Sequence, residues 1–205
     1  MAIWNQTAPP AKEPLDLQSL IEWQRLPCSA DEPEPGLPGL LAAAREQVEN
    51  RTGLSLMTQQ WRLTLDRWPS SGIVRLPRGP LWLGGSPVAL AVAIAYTDAD
   101  GGAQTLDAAD YLIDAESRPP RIMPAYGLSW PSLRAQMNAV RITYSAGVDD
   151  PDDVPQTLRT AIRMLLAHWY ENREVAITDG QPRTFPLHIE QILADETIPQ
   201  FDPDE

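Results

Sequence analysis

PQTLRTAIRMLLAHWYENRE, residues 155–174, is the stretch that decides how the rest of the chain is read. On a helical wheel Leu158, Ala161, Ile162, Leu165, Leu166 and Trp169 fall in one broad apolar stripe, with Arg159, Arg163, Tyr170 and Glu174 opposite. That is the pattern of an amphipathic helix laid on a core. Pro155 suits the first turn, where its missing N–H costs nothing, and Asp149, Asp150, Asp152 and Asp153 lie near the positive end of the helix dipole. No other segment is as long, as periodic or as clearly bounded. The remaining elements are expected to pack against it.

Upstream, residues 1–14 are Pro-rich and polar, so an N-terminal extension is expected to precede the ordered core. Residues 15–26 predict a short amphipathic helix through Leu17, Leu20 and Ile21, stopped by Pro27. An acidic, Pro-rich loop follows. Residues 37–53 predict a second helix, with Leu40, Leu41, Ala44 and Val48 inward, Arg45, Glu46, Glu49 and Arg51 in water, and Gly53 as C-terminal cap. The period then changes. Trp61, Leu63 and Leu65 alternate as in a half-buried strand, and short strands are expected at 73–76, 88–96, 104–106, 111–114, 121–123 and 140–144. The 88–96 strand is uncharged and is expected to be buried on both faces. Asp98-Ala99-Asp100-Gly101-Gly102 predicts a hairpin turn. A last short helix is expected at 187–194, before an acidic tail at 196–205. Helix, helix, a run of short strands, long helix, short helix: this segregated order predicts an α+β fold with an inserted, mostly antiparallel strand region at 58–147.

The net charge of −12 is unevenly spread. Residues 1–36 carry two cations against six acids, 37–148 ten against nine, and 149–205 four against thirteen. Such a chain lacks the clustered cations that general DNA binding requires. Fifteen of the sixteen cations are arginine, the residue suited to planar ion pairs, which points to protein partners. One cysteine, Cys28, cannot form an intramolecular disulfide and suits a reducing compartment. With no basic-then-apolar leader and no run approaching the ~20 residues of a membrane span, a chain soluble in the cytoplasm is expected.

Signs of catalysis are few. There is no Gly-rich phosphate loop, nucleophile elbow or His pair at metal spacing, and His168 and His188 read as structural. The acid pairs Asp107 with Asp110 and Glu171 with Glu174 leave open a small carboxylate-dependent hydrolase, but in a chain with 28 acids such pairs arise freely. Tryptophan is more informative. There are seven, and Trp with Arg typifies interface hot spots, so Trp61-Arg62 and Trp82 are candidates for subunit contacts or for a monomeric ligand-binding module, as well as for core filling.

Five segments carry a further resemblance: HWYENRE at 168–174, LAAAREQVENRTG at 41–53, TQQWRLTLD at 58–66, DYLID at 110–114 and NAVRITYSAG at 138–147. In order and spacing, from about residue 15 to 193, the chain resembles the head–tail connector (adaptor, or head-completion) proteins of tailed bacteriophages, found also in phage-like gene transfer agents. The resemblance implies a single adaptor domain over 15–195 in which a small helical bundle supports a ring, with the strand region as an elaboration. It implies a structural protein with no catalysis and no cofactor, located at the neck of the particle in a homo-oligomeric ring, usually dodecameric. The ring would sit between the portal protein and a tail-side stopper, and DNA would pass through it without tight binding. The C-terminal segment would grip the portal through Phe185, Leu187, Ile189, Ile192 and Leu193. Arg159, Arg163, Tyr170 and Arg173 are then left for neighbouring subunits or the lumen. The acidic loop at 29–38 and the N-terminal extension depart from the family pattern.

Overall fold

Strict alternation at residues 59–65 produces the central feature of a computed structural model that describes residues 2–26, 28–83, 86–171 and 187–198. The strands are β1 (Ala2–Ala8), β2 (Gln59–Leu65), β3 (Val74–Arg75), β4 (Trp82–Leu83), β5 (Ser86–Pro87), β6 (Ala91–Thr97), β7 (Ala103–Thr105), β8 (Tyr111–Asp114), β9 (Arg121–Pro124) and β10 (Val140–Ala146). The helices are α1 (Leu17–Gln24), α2 (Leu37–Thr52), α3 (Gln156–Glu171) and α4 (Leu187–Ala194). The mixture is α+β, as the segregated order predicts. The chain divides into two compact units: a strand unit of Met1–Ala11, Gly53–Val148 and Ile198–Glu205, and a helical unit of Lys12–Thr52 and Asp149–Thr197.

In the strand unit a five-stranded antiparallel sheet runs β1-β2-β10-β6-β7, beside a three-stranded sheet β3-β9-β8 and the pair β4-β5. Leu63 stands opposite Ile142, which stands opposite Ile94, and all three are fully buried. Val74 and Ile122 of the smaller sheet join the same core. Strand β6 differs from expectation. Ile94 points inward while Ala91, Ala93 and Ala95 are exposed, so only one face is covered. Alanine has too little side chain to reveal from composition which face it occupies. The predicted turn at 98–102 closes the β6–β7 hairpin, and the Asp98 carboxylate accepts from the Gly102 N–H at 2.7 Å and from the Gln104 amide at 2.9 Å.

Residues 2–8, expected to lie outside the core, form the edge strand β1 on β2. Trp4 holds them there. Its ring meets Trp61 at 5.5 Å, and the guanidinium of Arg78, a residue only 4% exposed, lies 5.2 Å from Trp4 and 5.0 Å from Trp61. Such cation–π contacts strengthen on desolvation. The Arg78 backbone N–H donates to the Tyr144 hydroxyl at 3.1 Å, and burial raises the pKa of that phenol well above the usual tyrosine range.

In the helical unit, the predicted stripe of α3 is realised by Leu158, Ala161, Ile162, Leu165 and Leu166, all fully buried. Trp169, at the end of the stripe, is half-buried. Helix α2 packs on α3, and α4 packs on both. Asp16 caps α1 by accepting from the Ser19 N–H at 2.9 Å. Its C-terminus is set by Arg25 in the left-handed region (φ 54°), two residues before Pro27. Gly53 ends α2 at φ +75°, a conformation glycine adopts without strain. The outward face predicted for α2 is corrected in part. Arg45 and Glu49 are 2% and 3% exposed, joined at 2.7 Å, and Glu13 reaches the same guanidinium at 2.9 Å.

Candidate interaction surfaces

The candidate residues on the polar face of α3 separate by partner. Arg159 is mostly covered and pairs with the exposed Asp152 at 3.1 Å. Arg163 is half-buried, and its Nε finds no acceptor among the described residues. Tyr170 donates its hydroxyl to the Glu34 carboxylate, 136 residues away in sequence. Around that contact Glu34, Pro35, Gly36, Leu37, Leu40, Trp169 and Tyr170 line a cleft of about 370 Å³. The acidic loop is thus joined to the end of the long helix. The cleft presents a carboxylate already engaged by a phenol. Arg173 and Phe185 lie outside the described residues, as do Glu174 and the side chains of Leu187 and His188.

Helix α4 divides its candidates differently. Ile189 and Leu193 are 0% and 1% exposed, whereas Ile192 is half-buried. Glu190 answers Arg51 across to α2 at 2.7 Å. Burial within this chain therefore occupies Ile189 and Leu193, and Ile192 is the one of these three with surface to offer. Trp61 is likewise spent on the core, its indole N–H donating to Ser55 Oγ at 2.9 Å. Arg62, its neighbour on β2, points to the exposed face. Trp82 is half-buried beneath the Arg118 guanidinium at 5.1 Å.

Of the acids considered for catalysis, Asp107 serves local structure. Asp107 accepts from the Ala109 N–H at 3.0 Å and caps a single 3-10 turn that contains Asp110. Glu171 is exposed at the end of α3. Among the described residues no group of three or more His, Cys, Asp or Glu side chains converges to hold a metal, and no helix is long and apolar enough to cross a membrane.

One acid is strongly perturbed. Asp114 accepts from Ser117 Oγ at 2.6 Å and from Arg121 Nε at 2.8 Å, and these bonds to the charged form hold its pKa near about 2 against the usual 3.8. A lowered folded value contributes stability that is present above about 3.8 and is lost as the pH falls toward about 2. The carboxyl carbon of Asp114, followed by NMR, is expected to titrate in that window. Asp114→Asn is expected to flatten the acid limb of the stability curve there; an ordinary titration near 3.8 would refute the assignment.

Other surface features carry no mark in the periodicity. Leu112, Met123, Tyr126 and Leu128 are all exposed. The available signal is Tyr111-Leu112-Ile113, three consecutive apolar residues in one strand, which must show an apolar side chain on each face.

No protein-family model matches the sequence, and no curated protein does. Solved structures similar in fold over nearly the whole chain include three from gene transfer agent particles. One is described as the neck of an empty GTA particle computed with C6 symmetry, with TM-score 0.72 and 22% identity over 97% of both chains. Another is the virion of a native gene transfer agent (GTA) particle, with TM-score 0.73 and 23% identity, again over 97% of both. The third is the neck of a native GTA particle computed with C12 symmetry, with TM-score 0.65 and 20% identity, covering 95% of this chain and 97% of that one. At this identity the likeness establishes a shared fold, and the α+β arrangement described above is the fold of chains in those particles.

Proposed function

We propose that this chain is a structural head–tail adaptor: one subunit of a ring at the neck of a gene transfer agent or tailed-phage particle. The observation that carries the reading is full-length likeness of fold to chains in particle structures, two of them described as necks, over 95% or more of each chain. In this reading the ring sits between the portal protein and a tail-side stopper, and DNA passes through its lumen. The C12 symmetry of one neck structure supports a dodecamer.

The chemistry fits. A wall that bound phosphates tightly would stall a moving duplex, and a chain of net charge −12 repels them. A closed ring needs two different patches on each subunit. Arg163, Tyr170 and Arg62 remain the candidates for subunit or lumen contacts, with Arg159 held partly by Asp152. For the portal contact, Ile192 is the one of Ile189, Ile192 and Leu193 that retains surface, with Phe185 and Leu187 completing the set proposed from the resemblance. Neither a hydrolase nor a monomeric binding module gains support from any specific geometry here.

The test is co-sedimentation of the purified chain with portal assemblies, followed by electron microscopy of the particle neck. The expected result is a monomeric or weakly associating chain in solution that forms a twelve-membered ring on the portal. A chain that neither binds portal assemblies nor appears in the neck would overturn the proposal.

A further inference from the structure

The outer face of the three-stranded sheet is built in two adjoining rows. Register places Arg75 opposite Arg121, and Arg121 opposite Asp114, which pairs with it at 2.8 Å. Arg75 has no ion pair among the described residues, so this row carries an arginine in excess. The two-residue period of a strand puts Met123 and Leu112 on the same face, in a second row about 7 Å further along. These two are cross-strand partners, 46% and 53% exposed, whereas Val74 and Ile122 on the opposite face are fully buried. A charged row beside an apolar row suits an extended segment that is apolar along one edge and acidic along the other.

Ile198 brings such a segment to this sheet. It is 6% exposed and seated against two glycines: a Cβ at Gly79 would fall 2.5 Å from its Cδ1, and one at Gly53 would fall 3.2 Å from its Cβ. The same Cβ at Gly79 would lie 3.5 Å from Pro120 Cδ. Pro120 immediately precedes β9, and its carbonyl accepts from the N–H of Leu76, next to Arg75, at 2.8 Å. The chain from Ile198 onward therefore starts beside the end of the sheet that carries the arginine row, and it belongs to the strand unit. Residues 199–205, PQFDPDE, lie outside the described residues. In an extended backbone, alternation sends Phe201 and Pro203 to one edge and Asp202 and Asp204 to the other.

We propose that residues 199–205 dock on this face of their own chain, with Phe201 and Pro203 on the Met123–Leu112 row and Asp202 and Asp204 on the Arg75–Arg121 row. From Ile198 to Phe201 is three residues, roughly 10 Å of extended chain. From Pro120 to Met123 is also three residues, about 10 Å of strand. The two spans match. The seat of Ile198 makes the docking intramolecular, so the segment meets this face at a higher effective concentration than any second copy does. Residues 53–148 carry eight arginines against seven acids, so acids arriving on this unit meet no net repulsion. The inference concerns one chain and does not rest on the ring reading.

The experiment places the photo-crosslinking residue p-benzoylphenylalanine at position 201 of the full chain, in an equal mixture of isotopically heavy and ordinary protein, and maps the adducts by mass spectrometry. The expected adduct joins position 201 to Leu112 or Met123 and never pairs a heavy peptide with an ordinary one. Arg75→Glu is expected to lower its yield several-fold, and adding Asp202→Arg with Asp204→Arg to bring the yield back. Circular dichroism would confirm that each variant is folded. A heavy–ordinary adduct would assign the face to a second copy and overturn the proposal. An adduct confined to other parts of the chain, or none at all, would overturn it equally.

Discussion

Arg45→Met is expected to destabilise the chain by about 3–5 kcal/mol, the usual cost of removing one partner from a buried ion pair. Glu49, itself 3% exposed, would lose a 2.7 Å bond to the guanidinium, and its carboxylate would remain within the helical unit. Adding Glu49→Leu is expected to recover most of the loss, because an apolar pair of similar volume carries no desolvation cost. Urea denaturation of the two variants beside the parent measures both effects. A double variant no more stable than Arg45→Met would show that the pair is not what the substitution breaks.

Glu13 gives the same prediction a pH signature. Burial raises its pKa above 4.5, while the Arg45 charge and hydrogen bond pull it down. A raised folded value favours the protonated form, so the contribution is fully present below 4.5 and is lost as the pH rises through the folded value. Without Arg45 the value rises further. The single variant should therefore regain stability on acidification from neutral pH, in a window above 4.5, more than the parent does.

The second large effect is expected at Gly147→Ala. Gly147 has φ +110°, and a Cβ there would fall onto the Met57 carbonyl and within 2.7 Å of the Thr58 nitrogen. Neither atom can move without cost, because the Thr58 N–H donates to the Val148 carbonyl at 2.9 Å and the Val148 N–H to the Leu56 carbonyl at 3.1 Å. A loss of more than about 4 kcal/mol is expected, in the range reached by main-chain collisions and core disruption. Gly72→Ala is the control. It has φ +72° with nothing within 4 Å of the added carbon, so it should cost only the strain of the left-handed region, about 1–2 kcal/mol. Equal losses at the two positions would refute the collision.

Periodicity made most elements legible. The amphipathic stripe of α3, the alternation of β2 and β10, and the turn at Asp98 to Gly102 all declare themselves over a few neighbouring residues. What escaped depends on residues far apart. Strand β1 has no strong local signal; it is ordered by pairing with β2 and by Arg78 held between Trp4 and Trp61. Arg45 and Glu49 have the i,i+4 spacing of a solvated surface pair, and only the approach of other elements buries them. The candidate surfaces were legible in type but not in place. The Tyr170–Glu34 contact joins residues 136 apart, and the burial of Ile189 and Leu193 depends on packing within the helical unit, which no local pattern reveals. The segregated order of helices and strands did supply the α+β class.

The division of the chain has a consequence for its synthesis. Each unit is assembled from segments that the other interrupts. Helices α1 and α2 leave the ribosome early, yet α3 and α4, which complete their core, come more than a hundred residues later. Likewise β1 waits for β2, and β2 for β10. Domains that are continuous in sequence can fold in order of emergence. Here the strand core waits for β10 and the helical core for α3 and α4, so a message truncated after β10 would yield a nascent helical pair with its apolar faces uncovered, a substrate for proteases.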